Sequence, residues 1–148
     1  MVPHDGTDDI KVLLVDDEQA LRTLIRLLLR RSGQFVVVGE ASNIDDAVRQ
    51  AESMHPDVIL LDLLLGTERG TDAIPALYRA APTSMVTVLT AMPAEDEEAA
   101  VRAAGAFAFY EKTRLTDLTT HIIEDLGIFR RGIAGEDVGA PPAISRRR

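Results

Sequence analysis

Asp16 and Asp17 follow directly on the apolar run Val12-Leu13-Leu14-Val15, and Asp62 follows directly on Val58-Ile59-Leu60-Leu61. An unbroken apolar run of that length reads as a strand buried on both faces, so each run delivers its carboxylates to the same carboxyl edge of a parallel sheet. Ligands bind at that edge of open α/β sheets. Three carboxylates gathered there repel one another unless a hard cation joins them, and oxygen ligands suit Mg²⁺. Metal-dependent chemistry on an oxyanion is the expectation. Two more strand ends add to the set: the run 85–89 delivers Thr90 and Ala91, and the run 106–110 delivers Lys112 just past its end.

The elements that must position these residues alternate along the chain. Strands are expected near 11–15, 35–41, 57–61, 85–89 and 106–110, with helices near 18–31, 43–54, 71–80, 94–104 and 114–126. The first helix places Leu21, Leu24, Ile25 and Leu28 on one face and Arg22, Arg26 and Arg30 on another, the 3.6-residue period of an amphipathic surface helix. The second opens at Ser42 or Asn43, either a competent cap, with Asp45 and Asp46 in the first turn where the helix dipole favours acids. The last turns Leu115, Leu118, Ile122 and Leu126 inward and is expected to stop at Gly127, a suitable left-handed terminator. Five βα units of this kind call for a doubly wound parallel sheet covered on both faces.

The bulk numbers narrow the function class. At 148 residues and 46% hydrophobic content the chain fits one domain with an ordinary core, and a second sizeable domain does not fit. The absence of cysteine excludes disulfides and thiolate metal sites, and the polar, acidic start does not resemble a signal peptide, so a cytoplasmic location is the default. No apolar stretch approaches the roughly 20 residues of a membrane helix. A formal net charge of −8 argues against a generic nucleic-acid surface and for a protein that binds other proteins. Residues 1–9 are read as a disordered tail, 10–127 as the folded domain, and 128–148, rich in Gly and Pro, as a disordered tail or linker.

Acid–acid, acid, hydroxyl and lysine at four strand ends of a five-strand α/β chain resemble the receiver domain of two-component response regulators, over residues 10–127. The resemblance implies the flavodoxin-like strand order 2-1-3-4-5 with five helices. It implies that Asp62 is the phosphoacceptor, taking a phosphoryl group from a sensor histidine kinase or a histidine phosphotransfer protein. It further implies that Asp17, Asp62 and the main-chain carbonyl of Leu64 hold Mg²⁺, with Asp16 acting more through bound water. Lys112 would supply positive charge to the phosphoryl oxygens, Thr90 a hydroxyl donor, and the small Ala91 room. Thr90 and an aromatic on the fifth strand would form the switch: Phe109 occupies the family's position three residues before the lysine, and Tyr110 beside it points to the opposite face. Output would pass through helix 4, strand 5 and helix 5 to a downstream protein or into a homodimer. On this reading the chain catalyses only its own phosphorylation and dephosphorylation, without nucleic-acid or membrane contacts of its own.

Three departures from the family pattern bear on the site. Thr113 stands where a proline usually follows the lysine, which favours a trans peptide there. Leu65-Gly66 stands where a Met-Pro pair is common, predicting a looser loop. Leu64 and Met92, two residues past Asp62 and Thr90, are apolar where water must approach the phosphoryl group. Two rival functions follow from the same residues: a receiver-like module that binds partners without accepting phosphate, and a phosphatase of the haloacid-dehalogenase type. The latter places a second acid two residues after its nucleophile, and that position is Leu64. Taken singly, most of these residues have plainer readings. The helix 1 arginines would be a solvated face, or else a dock for an acidic or phosphohistidine-bearing partner. Glu95 to Glu98 would be a dipole-favoured first turn. His4, His55 and His121 lack metal spacing, and Arg146 to Arg148 would be a solubilising end. The strand 35–41, Phe-Val-Val-Val-Gly-Glu-Ala, looks like receivers that carry a helix-turn-helix output domain, for which the residues after Gly127 are too few and too polar. The chain is then either a stand-alone receiver or a piece of a longer regulator.

Overall fold

The computed structural model describes residues 9–91 and 94–135, of which 94–97 by their backbone alone. Five strands form one parallel sheet: β1 (Ile10–Val15), β2 (Phe35–Ala41), β3 (Val58–Asp62), β6 (Met85–Thr90) and β7 (Ala108–Glu111), in spatial order β2-β1-β3-β6-β7. This is the expected 2-1-3-4-5 order of the main strands. Between them run α1 (Gln19–Ser32), α2 (Ile44–Met54), α3 (Gly70–Ala80), α4 (Ala94–Ala104) and α5 (Leu118–Ile133), the last preceded by a 3₁₀ turn at Leu115–Asp117.

The central strands read as continuous apolar runs because both faces are covered, and the period of two sorts their side chains between two cores. Leu13, Val15, Ile59, Leu61, Val86, Val88 and Phe109 meet Ala47, Ala51, Ile74, Leu77 and Val101 from α2, α3 and α4. Val12, Leu14, Leu60, Leu89 and Tyr110 meet Ile25, Leu29, Leu118, Ile122 and Leu126 from α1 and α5. Asn43 caps α2 as its residue type predicts, its side chain accepting from the Asp46 N–H at 2.8 Å.

Several expectations are corrected. On α1 the inward residues are Ile25 and Leu29, whereas Leu24 is 46% exposed, because the buried stripe lies about one position round from the one the period suggested. Gly127 does not end the last helix; α5 continues to Ile133. A glycine costs a helix interior about 1 kcal/mol relative to alanine, and packing further on outweighs it. Phe129 meets Phe107 edge-on at 5.2 Å, and Arg130 reaches Asp57 at 2.8 Å. The segment after Asp62 is not a loose loop but an antiparallel hairpin, β4 (Leu64–Leu65) and β5 (Glu68–Arg69), with Gly66 at φ 62°. Leu65 is buried in the first core, and the Glu68 carboxylate accepts from the Ile44 N–H at 3.1 Å, satisfying one of the open donors at the start of α2. Of the tails expected at 1–9 and 128–148, residues 128–133 are the end of α5, while 1–8 and 136–148, with His4 and Arg146 to Arg148, lie outside the described residues. Among those described, no helix is long and apolar enough to cross a membrane.

Candidate phosphoacceptor and metal site

The parallel register brings the predicted residues to one edge. Val15 pairs with Leu61 across β1 and β3, Asp62 with Leu89 across β3 and β6, and Thr90 with Glu111 across β6 and β7. Asp16, Asp17, Asp62, Thr90 and Lys112 therefore leave neighbouring strands at the same level. One carboxylate oxygen from each of Asp16, Asp17 and Asp62 lies within 4.8 Å of the other two. Asp16 and Asp62 are buried, whereas Asp17 is exposed. The Lys112 ammonium spans the buried pair, 3.1 Å from Asp16 and 3.2 Å from Asp62. Its backbone N–H donates to the Thr90 carbonyl at 2.7 Å, which fixes the root of the lysine against the threonine. No peptide among the described residues is cis, so the Lys112–Thr113 bond is trans, and the lysine reaches both acids without the missing proline.

Each carboxylate is also held by main-chain donors. Asp16 accepts from the Glu18 N–H at 2.8 Å, Asp17 from the Gly66 N–H at 2.9 Å and Asp62 from the Leu64 N–H at 3.3 Å. Burial raises the Asp62 pKa above the ordinary carboxylate value; the charge of Asp16 adds to the rise, and Lys112 opposes it. Burial works against the Lys112 ammonium, but the Asp62 and Asp16 carboxylates outweigh it and hold that pKa above the usual lysine value. Three acids against one lysine leave a local excess of negative charge. Converging carboxylate oxygens, one of them open to solvent, are the donor chemistry a hard divalent cation takes, and the residues fit Mg²⁺.

The remaining predicted residues divide by position. Ala91 is exposed just past the end of β6, and Leu64, two residues past Asp62, is 53% exposed. Met92 lies outside the described residues. Phe109 is fully buried in the core facing α3 and α4. Tyr110 faces α5, where its hydroxyl donates to the buried Asp125 at 2.6 Å and its ring stacks on His121. The two candidate switch aromatics are thus on opposite faces, as the strand period requires. The arginines of α1 are not uniformly a solvated face. Arg22 and Arg26 both reach Glu40 at the end of β2, at 3.0 and 2.5 Å, while Arg30 is exposed. The hairpin and the Arg22 contacts are the parts of the site that sequence reasoning missed. Gly66 and Gly70 were the only local signals for the first.

The model of the response regulator receiver domain matches residues 12–123. Among curated relatives, the transcriptional regulatory protein LiaR of Bacillus subtilis is 35% identical over 104 residues, 70% of this chain and 49% of that protein. The chain spans about half the length of such relatives. A two-component response regulator of the LuxR family from Aurantimonas superposes with a TM-score of 0.75 at 24% identity, covering 88% of this chain and 99% of that one. A response regulator from Burkholderia pseudomallei, solved with a phosphorylated aspartic acid, a calcium ion and citrate, gives 0.71 at 23% identity, with 87% and 75% covered. With three quarters of its length under the family model and its sheet in the flavodoxin-like order, this chain belongs to the response regulator receiver domain family.

Proposed function

We propose that the protein accepts a phosphoryl group on Asp62 from a phosphohistidine on a sensor kinase or a phosphotransfer protein, and that the acceptance changes which proteins it binds. The observation that carries this reading is the convergence of Asp16, Asp17 and Asp62 with Lys112 bridging two of them at 3.1 and 3.2 Å. An Asp62 oxygen forms the new P–O bond as the P–N bond to the donor imidazole breaks, and the imidazole leaves with that electron pair and takes up a proton. Catalysis of such a transfer is mostly positioning and charge. Lys112 turns from its carboxylates to the phosphoryl oxygens, and the Thr90 hydroxyl, rooted on the same backbone bond, donates to another of them. Asp17, Asp62 and the Leu64 carbonyl would hold Mg²⁺, with Asp16 acting more through bound water; the ion would offset the charge of acids and phosphoryl group together. The Burkholderia response regulator that shares this fold was solved with a phosphorylated aspartic acid and a calcium ion, which supports the reading.

Output passes through the surface of α4, β7 and α5, to a protein target or a second copy, with Thr90 and Phe109 or Tyr110 as the moving parts. Incubation with acetyl phosphate and Mg²⁺, followed by intact-mass measurement, should add one base-labile phosphoryl group, and Asp62→Asn should abolish it. Label retained in Asp62→Asn overturns the reading. Lys112→Ala should keep metal binding yet uncouple phosphorylation from the surface change. Repeated release of phosphate from a small ester would favour the phosphatase class instead, although Leu64 supplies no second acid.

A further inference from the structure

Arg22 on α1 is bound at two points that have no bearing on the helix itself. One amino group of its guanidinium donates to the main-chain carbonyl of Asp16, and its Nε donates to Glu40 at 3.0 Å. The second Glu40 oxygen is held by Arg26 at 2.5 Å, and the Glu40 carbonyl accepts from Gln50 at 2.8 Å, so the anchor is braced from α1 and α2 together. Only 16% of the Arg22 side chain is exposed. The carbonyl it grips belongs to the peptide that joins Asp16 to Asp17.

We infer that Arg22, held by Glu40, is a positioning residue that sets the orientation of the Asp16–Asp17 peptide and thereby the metal-binding geometry of both acids. The planar fork of a guanidinium can hold a carbonyl and a carboxylate at once, and a lysine ammonium on a flexible stem cannot reproduce that fixed geometry. Outer contacts that orient metal-binding carboxylates typically change metal affinity 10–100-fold when removed. The inference rests on the reading of Asp16, Asp17 and Asp62 as the Mg²⁺ site.

Charge alone predicts the opposite sign, which makes the test decisive. Removing a cation beside an acidic cluster should tighten Mg²⁺ binding by electrostatics, whereas loss of orientation should weaken it. Mg²⁺ alone is titrated into the full chain, followed by the amide resonances of Asp17 and Gly66, well below the melting temperature measured in parallel. Arg22→Met should bind Mg²⁺ about tenfold or more weakly, and Arg22→Lys, with its charge kept, should fall between it and the parent. Arg30→Met, which removes the same charge from the exposed end of α1, should bind as the parent does or slightly more tightly. Parent-like or tighter binding by Arg22→Met overturns the inference even if its melting temperature falls, since a purely structural role would lower that alone. Should Arg22→Met fail to fold, parent-like affinity in Arg22→Lys overturns it equally. An Asp17→Ala variant that binds Mg²⁺ as well as the parent would instead sink the metal site itself.

Discussion

Asp62 is buried beside Asp16 and answers to a single lysine, so its ionised form is held at a cost that Lys112 alone does not recover. Its folded-state pKa lies above the unfolded value. Stability from the tighter proton is therefore complete below the unfolded pKa and is lost as pH rises through the folded one. At neutral pH without divalent cations, Asp62→Asn should melt above the parent, and the difference should vanish on titration to acid. Mg²⁺ should reverse the order, because a ligand at a hundred times its Kd adds about 2.7 kcal/mol to the form that binds it. Thermal melts across pH, with and without Mg²⁺, read both; an Asp62→Asn protein less stable than the metal-free parent at neutral pH would contradict the burial argument. Leu64 carries a second prediction. On the proposed function, its exposed apolar side chain would stand where water approaches an aspartyl phosphate on Asp62, offering no hydrogen bond to orient that water. Leu64→Asn, alone or with Met92→Glu, should shorten the phosphorylated lifetime several-fold, followed as loss of label; an unchanged lifetime would assign the control of hydrolysis to the hairpin or to Lys112. These residues were legible in the sequence because strand ends are where an apolar run stops. Arg22 was not, because a bond from a helix side chain to a distant carbonyl leaves no period to read.

The hairpin between β3 and α3 is the element the sequence hid, since strands of two residues are too short to show alternation. Two glycines hold it for different reasons. Gly66 sits at φ 62° with open space around it, so a side chain there meets backbone strain alone, about 1–2 kcal/mol for an ordinary residue. Gly66→Val should cost that much and loosen the N–H contact to Asp17, whereas Gly66→Asn, which tolerates the left-handed region, should be close to neutral. Gly70 has no such freedom in its surroundings. A Cβ there would stand 2.2 Å from the Asp62 carbonyl oxygen and 2.9 Å from the Leu63 Cα. Those are backbone atoms at and just past the end of β3, so Gly70→Ala must shift the Asp62–Leu63 backbone. Its stability should fall by about 1–3 kcal/mol, the usual cost of overpacking. Its phosphorylation rate should fall further than that of Gly66→Val; equal rates in the two variants would mean that the hairpin does not position the acceptor.

At the scale of the whole molecule, the parallel order and the two-sided core were readable from alternating apolar runs, but the end of the last helix was not. Gly127 has the residue type of a helix terminator, and only contacts far away in sequence decide against it. Phe107 lies just before β7, and Asp57 just before β3; Asp57 also accepts from the Lys11 N–H at 2.8 Å. The last turns of α5 therefore close the edge of the sheet opposite the acid cluster, binding Phe107 through Phe129 and Asp57 through Arg130. The aromatic pair is worth about 0.5–1.5 kcal/mol beyond its buried area. The ion pair, with side chains 55% and 28% exposed, adds at most about 1 kcal/mol. A chain ending at Gly127 should then lose about 1–3 kcal/mol and melt several degrees lower, while one ending at Gly135 should match the parent. Phe129→Ala should reproduce most of the loss and Arg130→Ala little of it. If the chain ending at Gly127 melts with the parent, α5 beyond that glycine contributes nothing to the domain, and the boundary belongs where the sequence put it.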